Sequence, residues 1–299
     1  MKVIENRKIF FGISLAIIIL GIIMTGVNGL QKGIDFEGGT LIQINIGKQI
    51  SVDEVREITD DFDKEAHIIH SGDEKEEIII KSKMDLNNDE INNIFEKFKE
   101  KYNLKDEDLV QSQKFGPTMG SEIRKKALLS AGIAVVAMLV YITLRFEFKF
   151  ALSAIIALIH DVLITLSVYA IFKVPINSSF IAAILTILGY SINDTIVIFD
   201  RIRENAKSSR KVSHDGEYYS SLINDSIRQS IARTINTSLT TLVTIVLLYV
   251  LGVEDIKVLA FPLIIGVISG TYSSLFIASP IWYLLKSSGK DANYKPRKA

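Results

Sequence analysis

ALSAIIALIHDVLITLSVYAIF, residues Ala151–Phe172, is a long and predominantly apolar run. It is 22 residues long and holds no Lys, Arg or Glu. A helix needs about 20 mostly apolar residues to cross the hydrocarbon core of a bilayer, so this stretch predicts a membrane span. Five further apolar runs predict five more spans: Ile9–Val27, Ala127–Leu144, Ser178–Phe199, Thr234–Gly252 and Val258–Leu285. The sequence therefore predicts an α-helical membrane protein with six transmembrane helices.

Residues 29–126 lack such runs, and their composition is that of a water-exposed domain. Residues 29–125 hold 22 acidic against 14 basic side chains. Alternating apolar residues predict strands, and apolar residues at helical spacing predict helices. The expected strands are Leu41–Ile46, Ala66–His70, Glu77–Ser82 and Asp108–Phe115, and the expected helices are Val52–Phe62 and Asn88–Tyr102. The order β-α-β-β-α-β, with a turn at Gly72-Asp73, indicates an α+β ferredoxin-like domain.

Lysine and arginine in short loops mark the cytoplasmic side of a membrane. They are concentrated in a polar loop predicted at 200–233, at both chain ends and between the second and third spans. These residues are Lys2, Arg7, Lys8, Arg145, Lys149, Arg201, Arg203, Lys207, Arg210, Lys211, Arg228, Lys286, Lys290, Lys295, Arg297 and Lys298. We therefore expect both termini in the cytoplasm and the α+β domain outside it.

This orientation divides the chain into four parts. They are a cytoplasmic N-terminus with the first span (1–28), an extracytoplasmic domain (29–126), a five-helix transmembrane bundle (127–285) and a cytoplasmic tail (286–299). Residue types for common enzyme chemistry are scarce. The chain has no cysteine, its four histidines show no HExxH spacing, and it has no GxxxxGK[ST] motif. We therefore expect no enzyme activity, metal site, cofactor or nucleic-acid partner.

Three ionisable side chains lie within the expected spans and a fourth begins one, and each costs about 2.5–3.5 kcal/mol deep in a span on insertion scales. His160 and Asp161 lie near the middle of the third span. Asp194 lies in the cytoplasmic third of the fourth span, and Arg233 begins the fifth, with polar residues continuing from it at helical spacing. Burial favours the protonated form of a carboxylate and a nearby cation favours the ionised form. A moving arginine could therefore switch the proton affinity of Asp194, which makes these four residues candidates for a proton path.

A structural role is the alternative for each of these residues. Asp161 or Asp194 could pair with Arg233 or with a helix end, and the charge of Arg233 lies close enough to the interface to reach water. Adjacent residues on a helix point about 100° apart, so His160 and Asp161 are not expected to face one path together. On the last span, the small residues of Gly266–Gly270 (GVISG) indicate close helix packing.

Two motifs resemble the signatures of a known family. The first is GIDFEGGT at Gly33–Thr40, and the second is GYSINDTIVIFDRIREN at Gly189–Asn205. Supporting matches are ALIHDVLIT, which contains His160 and Asp161, and ARTINTSLTTL, which contains Arg233. The motif residues are Gly33, Asp35, Gly38, Gly39, Gly189, Asn193, Asp200 and Arg201. Over nearly its whole length the chain resembles the SecF branch of the SecD/SecF family of protein-export membrane proteins, within the resistance-nodulation-division superfamily.

The resemblance implies a subunit of Sec protein export in the cytoplasmic (inner) membrane of a prokaryote. In this superfamily, proton flow through a membrane bundle moves domains outside the cytoplasm. The implied partners are SecD, the SecYEG channel, a translocating unfolded polypeptide, membrane lipid and protons, with Na⁺ as an open alternative. Family roles in the proton path fall on Asp194 and Arg233. A further acidic residue is expected on SecD, so this chain is not expected to conduct protons alone.

Three other functions stay open at this stage. A proton-driven small-molecule or lipid exporter of the same superfamily usually has twice as many spans and a second soluble domain in one chain. An intramembrane aspartyl protease would use Asp161 and Asp194, but such enzymes have a GxGD motif where this chain reads GYSIND. The third is an architectural subunit that stabilises SecD.

Overall fold

A computed structural model of the chain describes residues 2–72, 74–208 and 216–287. The helices are α1 Arg7–Asn28, α2 Ile34–Glu37, α3 Val52–Thr59, α4 Asn88–Tyr102, α5 Pro117–Arg145, α6 Phe148–Phe172, α7 Ser178–Ser208, α8 Gly216–Leu251, α9 Glu254–Ser273 and α10 Ser279–Ser287. The strands are β1 Gly39–Asn45, β2 His67–Ser71, β3 Glu77–Ser82 and β4 Leu109–Phe115. Of the turn predicted at Gly72-Asp73, Asp73 lies outside the described residues.

Six helical segments are long and apolar enough to cross a membrane, which confirms the six predicted spans. They are α1, α5, α6, α7, α8 and the segment Ile256–Ser287, which combines most of α9 with α10. The apolar window of α6 is 50% buried inside the protein, whereas that of α5 is only 6% buried. α6 contacts α1, α5, α7 and α9, so it lies at the centre of the bundle.

The polar segment predicted as a cytoplasmic loop at 200–233 is helical at 200–208 and 216–233, so the expectation of an irregular loop is wrong for these residues, and their cytoplasmic placement stays a prediction. α7 continues past residue 200, and α8 begins before residue 233. Ion pairs at i,i+3 spacing stabilise the end of α7, with Arg203 Nη2 2.7 Å from Asp200 Oδ1 and Arg201 Nη1 2.9 Å from Glu204 Oε2. The predicted basic residues that lie outside the described ranges are Arg210, Lys211, Lys290, Lys295, Arg297 and Lys298.

The four strands form one antiparallel sheet in the order β2-β3-β1-β4. Successive side chains of a strand point to opposite faces, and one face of this sheet packs against α3 and α4. Ile44 and Ile80 from the strands and Phe98 from α4 are fully buried there. Ser51 and Asn87 are the N-cap residues of α3 and α4, and each forms a capping box. The strands and the helices α3 and α4 follow one another in the order that the sequence predicts.

A short helix that the sequence did not predict, α2, lies inside the motif GIDFEGGT and leads into β1. Gly39 follows it with a φ of 141°. A Cβ at this position would collide with the carbonyl oxygen of Ser82 on β3, so only glycine fits. The Thr40 hydroxyl donates to Met84 O (2.9 Å) and accepts from Leu86 N–H (3.0 Å). These contacts fix the start of β1 against the strand beside it.

The last span contains a π turn at Ser274–Ala278, between α9 and α10. Pro280 has no backbone N–H, so the α-helical hydrogen bond to the carbonyl of Phe276 cannot form. A π turn takes up one extra residue without ending the helix. It directly follows Ser273, which belongs to the polar cluster of the bundle described below.

The bundle has two distinct ends. One carries Arg7, Arg145 and Arg203 and is named the basic end. There Arg7 lies over the ring of Tyr283 at 5.3 Å, and Arg203 donates to the carbonyl of Arg145 (2.9 Å) while lying over the ring of Phe146 at 4.9 Å. The opposite end, where α6 ends and α7 and α9 begin, faces the sheet and is named the domain end.

Candidate functional site

Asp161, in the middle of α6, is the centre of a buried polar cluster. Its carboxylate is fully buried and accepts hydrogen bonds from three serine hydroxyls. Ser191 of α7 donates at 2.6 Å, and Ser269 and Ser273 of α9 each donate at 2.8 Å. A buried polar group is costly unless it is hydrogen-bonded, so this carboxylate links α6, α7 and α9.

His160 belongs to the same cluster as its neighbour Asp161. His160 Nδ1 lies 3.1 Å from Asp161 Oδ1, and His160 Nε2 lies 2.8 Å from the hydroxyl of Ser14 on α1. The two side chains reach different helices, as helical geometry requires. Contact between the imidazole and the carboxylate nevertheless joins them in one cluster, and that they do not face one path together stays a prediction.

Close packing of α7 against α9 positions the cluster. A Cβ at Gly270 would lie 2.9 Å from Ser191 Cβ and 3.1 Å from Ser191 Oγ. Glycine at this position therefore lets the two helices approach. The stretch Gly266–Gly270 also supplies Ser269, whose hydroxyl binds Asp161, so these small residues have a polar role in addition to the predicted packing.

Asp194 lies on α7 near the basic end and is 2% exposed. Its Oδ2 accepts a hydrogen bond from the Ser238 hydroxyl of α8 at 3.1 Å. That hydroxyl also lies 2.9 Å from the carbonyl of Thr234, so its single proton has two acceptors. Thr271 of α9 donates to Ser238 Oγ at 2.7 Å. Within the described part of the chain, Asp194 therefore has one shared hydroxyl donor, whereas Asp161 has three.

A row of buried hydroxyls on α8 leads from Asp194 toward the basic end. Ser230, Thr234 and Ser238 are four residues apart, so they lie along one face of the helix, and they are 3%, 1% and 7% exposed. A cavity of about 260 Å³ is lined by Ser230 at the start of the row. In the described residues, the hydroxyls of Thr234 and of Tyr190, one turn from Asp194 on α7, have no hydrogen-bond partner. Buried hydroxyls without a protein partner are uncommon.

Arg233 lies beside this row and is not paired with Asp194. Its side chain is exposed and lines the cavity at the basic end together with Asp200 and Glu204. Among the residues that the structure describes, no acidic group forms an ion pair with its guanidinium. The Asp194–Arg233 salt bridge considered as a structural alternative is therefore not formed here.

The outer face of α8 carries an exposed polar stripe that begins at Arg233. Thr237, Thr240 and Thr244 follow at helical spacing and are exposed. Each threonine hydroxyl donates to a carbonyl of its own helix: Thr237 to Arg233 (3.1 Å), Thr240 to Thr237 (2.9 Å) and Thr244 to Thr240 (3.2 Å). The polar stripe thus satisfies its own donors and contributes nothing to the interior of this bundle.

The other motif residues of α7 fall into two groups. Gly189 and Asn193, one turn apart, are exposed. Asp200 and Arg201 lie at the basic end, where each forms an ion pair within α7. Of the positions singled out in this motif, the structure thus buries Asp194 and leaves Gly189 and Asn193 on the surface of the bundle.

The motif GIDFEGGT attaches the sheet domain to the start of α7 at the domain end. Asp35 Oδ2 accepts a hydrogen bond from the backbone N–H of Ser178, the first residue of α7, at 2.8 Å. Gly33 N–H donates to the carbonyl of Ile176 (2.7 Å), and Ile176 N–H donates to the carbonyl of Gln31 (2.9 Å). An aspartate is a favoured partner for the free N–H groups at a helix start. Two hydrogen bonds therefore join this motif to α7 and the residues before it, and a third joins Ile176 to Gln31, two residues before the motif.

Sequence analysis did not identify the hydroxyl partners of the buried carboxylates. Single serine or threonine residues within apolar spans were the available signal, but such residues are also common where helices simply pack closely. The partners missed in this way are Ser191, Ser269 and Ser273 at Asp161 and Ser238 at Asp194. The nearby hydroxyls Ser14, Ser230, Thr234 and Thr271 were missed as well. Asp35 was identified as a motif residue, but its contact with Ser178 joins residues 143 positions apart and leaves no local pattern.

Comparison with known proteins gives a consistent result. Residues 94–288 match the family model "Protein export membrane protein SecD/SecF, C-terminal", and residues 23–50 match the "SecD/SecF GG Motif". The chain is similar to the protein translocase subunit SecF of Helicobacter pylori, with 37% identity over 94% of this chain and 85% of that protein. It is also similar to the subunit of the same name from Calditerrivibrio nitroreducens, with 36% identity over 95% of this chain and 94% of that protein.

A solved structure has the same fold. The crystal structure of SecDF, a translocon-associated membrane protein from Thermus thermophilus, matches with a TM-score of 0.80 and 30% identity over 94% of this chain. The match covers 38% of the SecDF chain. A second structure, of SecDF in the super-membrane-facing form, matches with a TM-score of 0.71 and 29% identity.

Proposed function

Because the chain belongs to the SecD/SecF family of protein-export membrane proteins, we propose that it couples proton movement through its helix bundle to movement of its sheet domain. It is a SecF-type subunit of the Sec protein-export machinery and a multi-pass protein of the prokaryotic inner membrane. Such coupling would let the subunit use the proton motive force to assist translocation through SecYEG.

The proposed orientation places the basic end in the cytoplasm and the sheet domain outside it. Two observations support this. Arg7, Arg145 and Arg203 share one end of the bundle, and cytoplasmic loops are rich in such residues. The sheet lies at the opposite end, and its strand order β2-β3-β1-β4 with two helices on one face supports a ferredoxin-like domain.

The proposed proton route begins at the cavity of the basic end and ends at Asp194. Ser230 lines the cavity, and Thr234 and Ser238 continue the row to the carboxylate. A hydroxyl can accept one proton and donate another, so a row of hydroxyls can relay protons. Arg233, at the cavity, supplies a cation whose approach to Asp194 would favour the ionised carboxylate and whose withdrawal would favour the protonated one.

One observation carries the coupling proposal: the same helix contacts both the proton site and the sheet domain. α7 is 31 residues long, contains no proline and carries Asp194 in its buried face. Its first residue, Ser178, is hydrogen-bonded to Asp35 of the motif that leads into β1. A change in helix position caused by protonation of Asp194 would therefore reach the sheet domain directly through α7.

A second bundle is the proposed partner of the exposed polar surface. Asn193 of α7 and the polar stripe of α8 are exposed, although polar groups are costly in lipid. The match covers 38% of the SecDF chain, so the remaining 62% of SecDF lies beyond the part that this protein matches. We propose that a SecD-type subunit covers the polar stripe and completes the proton path, which also gives this chain a stabilising role in the complex.

The test replaces Asp194 with asparagine, which preserves volume and hydrogen bonding but cannot ionise. Secretion of a reporter is measured in vesicles containing the chain, its SecD partner and the export channel, with and without an imposed proton gradient. We expect Asp194→Asn to keep the complex intact and to lose the stimulation by the gradient. Equal stimulation in wild type and Asp194→Asn, at equal complex levels, would remove Asp194 from the proton path.

Asp225→Asn is the matched control for this experiment. Asp225 is an exposed carboxylate on α8 and pairs with Arg228 at 3.7 Å. Because the pair is on the surface, we expect this variant to respond to the gradient as the wild type does. A purely architectural subunit makes a different forecast: its Asp194 variant would alter complex abundance and leave the response to the gradient intact.

A further inference from the structure

A cavity of about 430 Å³ lies between the sheet and the domain end of the bundle. Lys81 and Lys83 line it from the side of the sheet. Lys173, which follows α6, and Lys257, at the start of α9, line it from the side of the bundle. The proton route proposed above lies toward the other end of the bundle and does not use this cavity.

The lining of the cavity has an excess of positive charge. Five lysines line it against three carboxylates. Two of these carboxylates are already engaged: Asp35 accepts from Ser178 N–H, and Glu254 lies 3.4 Å from Lys257 Nζ. Lys81 and Lys173 form no ion pair with any residue in the described ranges. The cavity therefore presents at least two ammonium groups that are not neutralised by a neighbouring acid.

The side of the cavity nearest the membrane is apolar and aromatic. Phe172 and Tyr249, near the ends of α6 and α8, and Phe261 of α9 line it. Phe172 is 69% exposed and Tyr249 is 38% exposed, so this side opens onto the lipid-facing surface. Aromatic side chains are enriched at this depth, where the headgroups of a bilayer lie. One cavity thus combines lysines with lipid-facing aromatic rings on the side nearest the membrane.

We propose that this cavity binds the headgroup of an anionic phospholipid such as phosphatidylglycerol. Its phosphate would lie among Lys81, Lys173 and Lys257, and its glycerol and upper acyl chains would pack on Phe172 and Tyr249. A free phosphate ester also offers an anionic phosphate but has no acyl chains for the apolar side, so the combination favours a lipid as the source. Because the lysines come from both the sheet and the bundle, the bound headgroup joins the two parts.

Glu37 offers a way to strengthen this site. Its carboxylate pairs with Lys83 at 3.0 Å and with Lys32 at 3.6 Å, and both lysines line the cavity. Lys83, followed by Lys32, lowers the pKa of Glu37, so this carboxylate is ionised at neutral pH and competes with a bound phosphate for both lysines. Glu37→Gln frees them, and we expect it to increase the affinity for the anionic lipid.

A tryptophan reporter tests the proposal in the full chain. The single native tryptophan, Trp282, is buried near the basic end, beside Phe150 and Tyr219. Phe172→Trp in a Trp282→Phe background places one tryptophan at the mouth of the cavity. In vesicles, its quenching by brominated phosphatidylglycerol is compared with its quenching by brominated phosphatidylcholine, which gives the relative binding constant of the two lipids at this position.

We expect the reporter to prefer phosphatidylglycerol by at least tenfold. A basic side chain near an anionic headgroup contributes about fivefold in affinity. Lys81→Gln with Lys173→Gln should therefore bring the relative constant close to one, and Glu37→Gln should raise it. Lys105→Gln with Lys114→Gln is the matched control, because both lysines are exposed in the domain and line no part of this cavity.

Three outcomes would overturn the proposal. One is equal quenching by the two lipids in the unmodified reporter. Another is a preference that neither the Lys81/Lys173 variant nor Glu37→Gln changes. The third is full displacement of phosphatidylglycerol by soluble glycerol 3-phosphate, which would identify a site for free phosphate esters and not for lipid. None of these results depends on proton coupling, so the test is separate from that of Asp194→Asn.

Discussion

Asp161 and Asp194 are both buried carboxylates, on the adjacent helices α6 and α7, but their surroundings differ. Asp161 accepts from the hydroxyls of Ser191, Ser269 and Ser273 and contacts His160 as well. Asp194 accepts from the shared hydroxyl of Ser238 at 3.1 Å, next to a row of hydroxyls that leads to a cavity. A carboxylate fixed by many donors serves to hold helices together, whereas one with few fixed contacts can change its protonation at lower cost.

The largest expected difference between the two carboxylates is in how much the protein is destabilised when each is replaced by alanine. Asp161→Ala leaves several buried donors without an acceptor, and each such donor costs about 1–3 kcal/mol, so the free energy of unfolding should fall by about 3 kcal/mol or more. Asp194→Ala removes one shared hydrogen bond and should cost about 1 kcal/mol. Denaturation of the purified variants in mixed micelles measures both. Equal losses would show that the two sites do not differ in this way.

The connection between the proton site and the sheet domain is tested at Asp35. Asp35→Ala removes the acceptor for Ser178 N–H, and loss of such a helix cap costs about 1 kcal/mol, which corresponds to a change of about fivefold in the population of the attached state. We expect the stimulation of secretion by a proton gradient to fall by a similar factor while Asp194 remains intact.

Asp35→Asn is the conservative control, because asparagine caps helices as well as aspartate does. It should keep most of the stimulation that Asp35→Ala loses. If both variants respond to the gradient as the wild type does, the junction between the motif and α7 does not transmit the effect of Asp194.

The smallest expected effect concerns the row of hydroxyls on α8. Thr234→Val keeps the shape of the side chain but removes a hydroxyl that is buried between Ser230 and Ser238. In the described residues this hydroxyl has no protein partner, so its loss should affect proton relay and not stability. A relay group that lowers the barrier by about 1 kcal/mol speeds the proton-dependent step about fivefold, so its removal should slow that step about fivefold. Thr237→Val, three residues along the same helix, removes an exposed hydroxyl that bonds only to its own helix. Rates that are equal in the two variants would exclude the row as the route.

Sequence patterns predicted the spans and the strands because each depends on local periodicity. The run Ala151–Phe172 predicted α6 to within three residues, and the alternation at Leu41–Ile46 predicted β1. The charged end of α7, after residue 200, was not predicted as helix. Ion pairs such as Arg203–Asp200 stabilise it, and a hydropathy pattern does not reveal ion pairs.

The candidate site was predictable only in part, for a physical reason. Asp161 and Asp194 could be identified because an ionisable group inside an apolar run is costly and requires compensation. Which groups compensate them depends on the packing of distant helices: Ser273 lies 112 residues from Asp161, and Ser238 lies 44 residues from Asp194. A pair between Asp194 and Arg233 was one structural alternative, but Arg233 lines the cavity at the basic end.

Because α7 is a single unbroken helix, a tilt about Asp194 fixes how far its first residue, Ser178, is displaced. Ser178 and Asp194 are 16 residues apart, which is about 24 Å along the helix axis at 1.5 Å per residue. A rigid rod of that length tilting by about 5° around Asp194 displaces Ser178 by about 2 Å, which is enough to break the contact with Asp35 if the motif stays in place. The sheet domain must therefore follow even a small tilt of this helix or release it.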